Sequence, residues 1–146
     1  MKKKYLYLAT LSPILIVIDQ ITKFYIDTRM SIHESIEVIG GFFNITYVRN
    51  PGSAFGFLAS SSAQFRSIFY LIITLLAVGL ILYYVVKTED DDKLTPLSLS
   101  LILSGAVGNM IDRIRFGEVI DFLDVYLGSQ HWPAFNVADS AISVGA

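Results

Sequence analysis

Runs of apolar residues long enough to cross a bilayer dominate the chain. A transmembrane helix needs about 20 apolar residues, and residues 5–25, 65–86 and 94–114 each meet this requirement. A fourth run, residues 133–146, is too short to span, and we expect it to be a fourth membrane helix that is truncated in this sequence. The pattern predicts a mainly α-helical, polytopic membrane protein with four transmembrane helices, forming a single domain over residues 1–146.

The segment between the first two apolar runs has a different period. Ile36–Val38 and Phe43–Val48 alternate apolar and polar residues on either side of Gly40 and Gly41, which predicts a β-hairpin or small sheet within residues 33–52. The lysines at positions 2–4 favour a cytoplasmic N-terminus, which places the hairpin outside the cytoplasm. The total count of lysines and arginines on the two sides does not decide the orientation.

Composition removes several classes of function. Only 16% of the 146 residues are charged, the net charge is −2, and there is no basic stripe, so nothing indicates a nucleic-acid partner. The absence of cysteine excludes thiol nucleophiles, thiolate metal sites and disulfides. His33 and His131 lie in predicted loops without a partner at ligand spacing, and we expect them to be solvated and no metal to be bound.

Three short stretches place carboxylates and amides near the ends of apolar runs, where an ionisable group is costly and by default indicates a functional site. Asp112 lies about 27 Å along its helix from Leu94, and Asp139 lies about 5 Å into the next helix, so both are expected at a similar depth. Asp19 lies somewhat deeper in the first helix. The three stretches are Gly108–Arg113, Val119–Phe122 and Phe135–Ser140.

Two carboxylates in one apolar layer favour the chemistry of an aspartic hydrolase. Close carboxylates cannot both ionise, so one keeps a proton and polarises the scissile carbonyl while the other activates water. Asp139 enters an apolar helix with no adjacent cation, and by spacing alone its partner could be Asp112, Asp121 or Asp124. The position of Asp112 beside Arg113 is typical of a structural ion pair, and Asp124 is expected to be exposed in a loop.

Other functions fit the pattern less well. A serine protease needs a base near its nucleophile, yet no histidine lies in a predicted helix and Lys23 is the only lysine near this layer. A carrier or channel subunit usually places its acids near the midplane, often between internal repeats, whereas here they cluster at one face and no repeat is visible. A structural assembly subunit would explain the apolar runs but not Asp139.

Five ordered motifs are distributed over nearly the whole chain. They are Asp19-Gln20-x-Thr22-Lys23, Arg49-Asn50-x-Gly52-x-Ala54-Phe55, Gly108-Asn109-x-x-Asp112-Arg113, Val119-x-Asp121-Phe122 and Phe135-Asn136-x-Ala138-Asp139-Ser140. By these motifs the chain resembles the lipoprotein signal peptidases, the aspartic type II signal peptidases of bacteria. Ser53 stands where that family often has a small apolar residue.

The resemblance implies four membrane helices, a small extracytoplasmic sheet, and Asp121 and Asp139 as the catalytic pair. It implies a structural role for Asp19, and neither a metal nor a cofactor. Supporting or substrate-binding roles are implied for the remaining matched polar positions, which are Asn50, Gly52, Asn109, Asp112, Arg113 and Asn136.

The resemblance also implies the partners and the location. The substrates would be prolipoproteins bearing a diacylglyceryl-modified cysteine, cut just before that cysteine, and the antibiotic globomycin would inhibit the cleavage. The enzyme would be a multi-pass protein of the bacterial cytoplasmic (inner) membrane, in contact with membrane lipids, with its active site near the outer face.

Overall fold

The computed structural model describes residues 3–52, 58 and 60–146, so Ser53, Ala54 and Phe55 of the second motif lie outside the described residues. Four helices and four strands follow one another along the chain. In order they are α1 (Lys3–Arg29), β1 (Ser35–Ile39), β2 (Phe43–Asn50), α2 (Ala63–Lys87), α3 (Leu94–Phe116), β3 (Val119–Leu127), β4 (Gln130–His131) and α4 (Val137–Gly145).

Three of the helices, α1, α2 and α3, are long and apolar enough to cross a membrane. They confirm the three predicted spans and extend them by up to four residues at an end. The side chain of Ser62 caps α2 by accepting a hydrogen bond from Phe65 N. Gly117 ends α3 with a left-handed φ of 73°, a conformation that glycine adopts without a steric penalty, and its N–H binds Arg113 O.

A fourth membrane span is not found in the described part of the chain. Helix α4 has nine residues, about 14 Å of helix, which is far less than the roughly 30 Å hydrocarbon core. It begins at residue 137 rather than 133 because Asn136 is extended and its side chain accepts from Asp139 N, as an N-cap does. Over these residues α4 packs against α3 and α1.

The β-sheet is larger than the predicted hairpin. Strands β1 and β2 confirm the hairpin, and β3 and β4 extend it to a four-stranded antiparallel sheet in the order β1-β2-β3-β4. Asp121 lies in β3, where it pairs with Val48 of β2. The first four residues of β3 are all buried, so this strand has no alternation of apolar and polar residues for a sequence pattern to reveal.

Helix α3 lies at the centre of the helices and packs against α1, α2 and α4. Two glycines of α3 allow a close approach, because a Cβ at Gly105 would meet the backbone of Ala138 and one at Gly108 would lie 2.6 Å from Asp19 Oδ2. A small apolar core of Ile26, Tyr47, Ile120 and Phe122 joins the sheet to the end of α1. This packing brings β3, the end of α3 and the start of α4 together.

Candidate active site

A cavity of about 800 Å³ lies where β2, β3, α3 and α4 meet. Asp121 and Asp139 both line it, whereas Asp112 and Asp124, the other two partners that spacing allowed for Asp139, are not among its lining residues. Its volume falls in the range of cavities that hold a small ligand or a stretch of peptide. The predicted supporting residues that also line it are Asn50, Asn109 and Arg113.

Asp121 is only 2% exposed and is held through both carboxylate oxygens. Asn136 Nδ2 donates to its Oδ1 at 2.8 Å, and Asn50 Nδ2 donates to its Oδ2 at 3.0 Å. The Asn50 amide is itself oriented, because its Oδ1 accepts from Gly52 N at 3.0 Å. Asn50 and Gly52 therefore fix one side of the Asp121 carboxylate, and Asn136 fixes the other.

Asp139 lies in the first turn of α4, where the cap directs its backbone. Its N–H donates to Asn136 Oδ1 at 2.9 Å, and its own Oδ1 accepts from Asn109 Nδ2 at 2.8 Å. The two carboxylates are linked through these amides, since Asn136 Nδ2 also donates to Asn109 Oδ1 at 3.2 Å. Each asparagine thus turns its NH₂ group toward one aspartate.

Lys23 sets the orientation of this amide chain. Its Nζ, on a side chain that is fully buried, lies 3.0 Å from Asn109 Oδ1, so the Asn109 NH₂ group must face Asp139. The same Nζ pairs with Asp19 Oδ2 at 2.9 Å and with Asp112 Oδ2 at 3.0 Å. The ion pair expected between Asp112 and Arg113 is therefore wrong, because Asp112 pairs with Lys23 on the neighbouring helix.

Asp19 and Asp112 also bind backbone groups of the elements that carry the two cavity aspartates. Asp19 Oδ1 accepts from Ala138 N at 2.9 Å, which ties α1 to α4. Asp112 Oδ2 accepts from Ile120 N at 3.1 Å, which ties α3 to β3. The structural role expected for Asp19 fits this contact, and Asp112 has a comparable place.

Sequence reasoning missed Lys23 and Gln20 as members of the site. Gln20 Nε2 lies 3.1 Å from Asp19 Oδ2 and 3.0 Å from Asp112 Oδ1, so it bridges the same two acids. A signal was available, because Asp19 and Lys23 are four residues apart on one face of an apolar helix. Two opposite charges at that spacing within a membrane span indicate a buried pair.

The Arg113 side chain points into the cavity and does not pair with Asp112. Its guanidinium lies 4.3 Å from the Tyr70 ring centroid, and Nη2 donates to Gly52 O at 3.3 Å. Nearby, Arg49 forms a second, partly buried group that the sequence did not reveal. Its Nη2 lies 2.6 Å from Asp27 Oδ1, and its Nε donates to the Tyr47 hydroxyl. This second group holds β2, and with it Asn50, against the end of α1.

Asp124 is not the exposed loop residue that was expected. It lies in β3 and is buried, with Oδ2 accepting from Asn44 Nδ2 at 2.9 Å and Oδ1 lying 2.8 Å from His131 Nδ1. His131 likewise has partners, because its ring also stacks on Tyr126 with centroids 4.7 Å apart. The expectation for Asp124 was wrong because the pairing of β3 with β2 and β4 brings these residues together. His131 is exposed as expected, but it lies in β4 and not in a loop.

Burial controls the charge state of Asp121. Removal from water and the nearby charge of Asp139 together raise the pKa of this carboxyl to about 7, against the lowering effect of the amide donors from Asn50 and Asn136. The cavity therefore contains a carboxyl group that holds a proton up to neutral pH beside a second carboxyl group. No group of three or more histidine, aspartate or glutamate side chains suited to a metal ion occurs among the described residues.

Comparisons with known proteins agree with each other. A family model described as signal peptidase (SPase) II matches residues 11–146. The chain is 54% identical over 145 residues to a lipoprotein signal peptidase of Syntrophus aciditrophicus, covering 99% of this chain and 90% of that protein. It is 52% identical to one of Geobacter metallireducens, covering 99% and 88%. A bacterial membrane enzyme solved by the in meso method at 2.3 Å resolution is similar with a TM-score of 0.84 and 36% identity, covering 98% of this chain and 82% of that chain.

Proposed function

The chain belongs to the signal peptidase II family, and we propose that it cuts diacylglyceryl-modified prolipoproteins just before the lipid-bearing cysteine, with Asp121 and Asp139 as its catalytic pair. The family makes the chain an aspartic endopeptidase that removes prolipoprotein signal peptides, and confirms the resemblance drawn from the five motifs. What we propose beyond the family is the assignment of the two aspartates, the lipid-modified form of the substrate and the position of the cut.

In the proposed reaction the two carboxyl groups share one proton around a bound water. The carboxyl that keeps the proton donates to the scissile carbonyl oxygen, and the ionised one takes a proton from the attacking water. The raised pKa of Asp121 supports this division because it keeps a proton in the pair at neutral pH. Apparent pKa values belong to the pair, so the reaction does not require a fixed owner of the proton.

The amide groups would keep the pair in reacting geometry. Asn136 and Asn50 each donate to Asp121, and Asn109 donates to Asp139, so neither carboxylate can rotate away without losing a hydrogen bond. Arg113 lines the same cavity and can stabilise negative charge on the carbonyl oxygen as it develops. This preorganisation costs no rearrangement at the moment of reaction.

The lipid would deliver the scissile bond to the right depth. Three membrane-spanning helices make the chain a multi-pass membrane protein, and Asp121 and Asp139 lie near one end of α3. We assign that end to the outer face of the bacterial cytoplasmic (inner) membrane, where a diacylglyceryl group inserted among membrane lipids would hold the cysteine at the level of the cavity. Globomycin-type inhibitors would compete for the same cavity.

The single observation that carries the proposal is that Asp121 and Asp139 line one cavity and are joined by the Asn136–Asn109 amide chain. The test is release of the signal peptide from a diacylglyceryl-modified prolipoprotein, followed by gel shift in detergent. Asp121→Asn and Asp139→Asn should each lose essentially all turnover while remaining folded. Asp124→Asn is the matched control, an acid of the same strand outside the cavity, and should keep cleaving.

Appreciable turnover by either Asp121→Asn or Asp139→Asn would contradict the catalytic pair. Loss of activity in the control with normal melting behaviour would mean that the partner of Asp139 had been misassigned. The melting temperature with globomycin is a second test, because globomycin should stabilise the wild-type protein against thermal unfolding if it occupies the cavity.

A further inference from the structure

A second, smaller cavity of about 220 Å³ lies between α2 and α3. We call it the α2–α3 groove. The residues from α2 recur at the spacing of one helix face, and Arg113 of α3 lines both this groove and the large cavity. The other walls include Ser67, Tyr70, Leu71, Thr74, Met110 and Ile114.

The groove opens toward the lipid. Tyr70 and Thr74 are buried and form its floor, whereas Ile68 and Ile114 at its rim are 51% and 67% exposed. Both helices cross the membrane, so a face that is exposed in the isolated chain is in contact with acyl chains in the bilayer. Ser67 and Thr74 are about 10 Å apart along the helix axis, which gives the length of the groove.

The lining selects for one chemical class. The volume lies below the 300–1,000 Å³ that holds a whole ligand, so the groove takes part of a larger molecule. Most of its wall is hydrocarbon, and among the described residues of its lining the charged one is Arg113, which also lines the cavity that contains Asp121 and Asp139. A guanidinium only donates hydrogen bonds, and Arg113 already donates to a carbonyl oxygen, that of Gly52. An ester carbonyl at the head of an apolar chain is a partner of the same kind.

We propose that the α2–α3 groove binds one acyl chain of the substrate's diacylglyceryl group, with Arg113 donating to the ester carbonyl at the head of that chain. This inference rests on the proposed function. It commits to the substrate's own chain because Arg113 borders both the groove and the large cavity, so the head of a chain seated in the groove would lie beside the cavity that Asp121 and Asp139 line.

The groove would act on the position of the substrate and not on its partition into the membrane. An acyl chain gains no hydrophobic free energy by leaving lipid for an apolar groove, because lipid tails are as apolar as the groove wall. What it gains is a fixed distance to the reacting carboxyl groups, and misplacement by about 1 Å can cost on the order of 100-fold in rate. The effect should therefore depend on chain length, since a chain that ends near Arg113 never fills the groove.

The test compares dipalmitoyl and dibutyryl forms of one prolipoprotein. Thr74→Phe fills the inner end of the groove, away from Arg113, and should lower kcat/KM for the dipalmitoyl substrate by about 10- to 100-fold, while the dibutyryl substrate is cut as by wild type. Ser67→Phe fills the end beside Arg113, where both chains would lie, and should slow both substrates. Leu76→Phe is the matched control, because it adds the same ring on α2 at a position that is 60% exposed and outside the groove. Thr74→Ile fills the inner end with less added volume and should show the same dependence on chain length.

The outcomes separate the two proposals. If wild type cleaves both substrates and the groove variants, with normal melting temperatures, keep wild-type kcat/KM for the dipalmitoyl form, the groove assignment is overturned and the proposed function stands. If wild type cleaves neither substrate, the proposed function fails and this inference fails with it. If chain-length selectivity is unchanged but added phosphatidylglycerol raises the melting temperature of wild type more than that of Ser67→Phe, the groove holds a bilayer lipid and the proposal is wrong.

Discussion

The most informative prediction concerns stability rather than activity: Asp121→Asn should remove a pH dependence of unfolding that the wild-type protein has. The pKa of Asp121 is raised by burial from 3.8 to about 7 in the folded chain. Between these two pH values the unfolded chain has lost the proton and the folded chain still holds it. Stability therefore falls as pH rises through this window and levels off above about pH 7.

The magnitude follows from the width of the window. One proton corresponds to about 1.36 kcal/mol for each pH unit, so the whole interval from 3.8 to about 7 amounts to about 4 kcal/mol. Between pH 5 and pH 8 the loss is about 3 kcal/mol, which for a chain of this size corresponds to about 6–12 °C in melting temperature. Asparagine cannot titrate, so the variant should lose this contribution.

The stability of Asp121→Asn at a single pH tests this reasoning less well than the slope of its melting temperature against pH. An asparagine at position 121 can accept from only one of Asn50 and Asn136 and turns its NH₂ toward the other, which costs about 1–3 kcal/mol at every pH. The assay is melting temperature in one detergent from pH 5 to pH 8 for wild type, Asp121→Asn and the control Asp91→Asn, an exposed acid in the α2–α3 loop. A variant slope equal to that of wild type would refute the reasoning, and so would a flattened slope in the control.

The remaining predictions test the surroundings of the site. Lys23→Met leaves Asp19 and Asp112 buried without their shared cation and should lower the free energy of unfolding by about 3–5 kcal/mol, so an unchanged melting temperature would contradict the ion cluster. Gly108→Ala places a Cβ 2.6 Å from Asp19 Oδ2 and should reduce both melting temperature and cleavage, whereas Gly79→Ala meets nothing within 4 Å and should stabilise α2 by up to about 1 kcal/mol. A prolipoprotein without its lipid should be cut far more slowly than the modified form in a gel-shift assay, and comparable rates would contradict the membrane-depth argument.

The membrane helices and the hairpin could be predicted because their patterns are local. The lengths of the apolar runs located α1, α2 and α3, and a period of two around Gly40 located β1 and β2. Strand β3 could not be found in this way because it is covered on both faces, so its apolar residues do not alternate with polar ones. The start of α4 could have been predicted from the sequence, because an asparagine three residues before an acid, as in Asn136 and Asp139, is a capping pattern.

The candidate site also has a part that the sequence could indicate and a part that depends on how the elements pack. The ordered motifs indicated Asp121 and Asp139, and the structure places both at one cavity. Pairings between elements could not be foreseen, because they depend on strand register and helix packing. Asp124 was expected to be exposed for want of a visible partner, and it meets His131 only because β3 pairs with β4.

The contact between Asp19 and Ala138 has a consequence for how the protein is made. The two residues lie 119 positions apart, so at about 5–20 residues per second the first helix is synthesised at least about 6 s before its partner in α4 exists. A lone carboxylate in the bilayer during that interval would be costly. Lys23, one turn further along α1, can neutralise Asp19 from the moment the helix enters the membrane. The nascent first helix therefore carries its own counter-ion through insertion, well before the backbone N–H of Ala138 exists to bind Asp19.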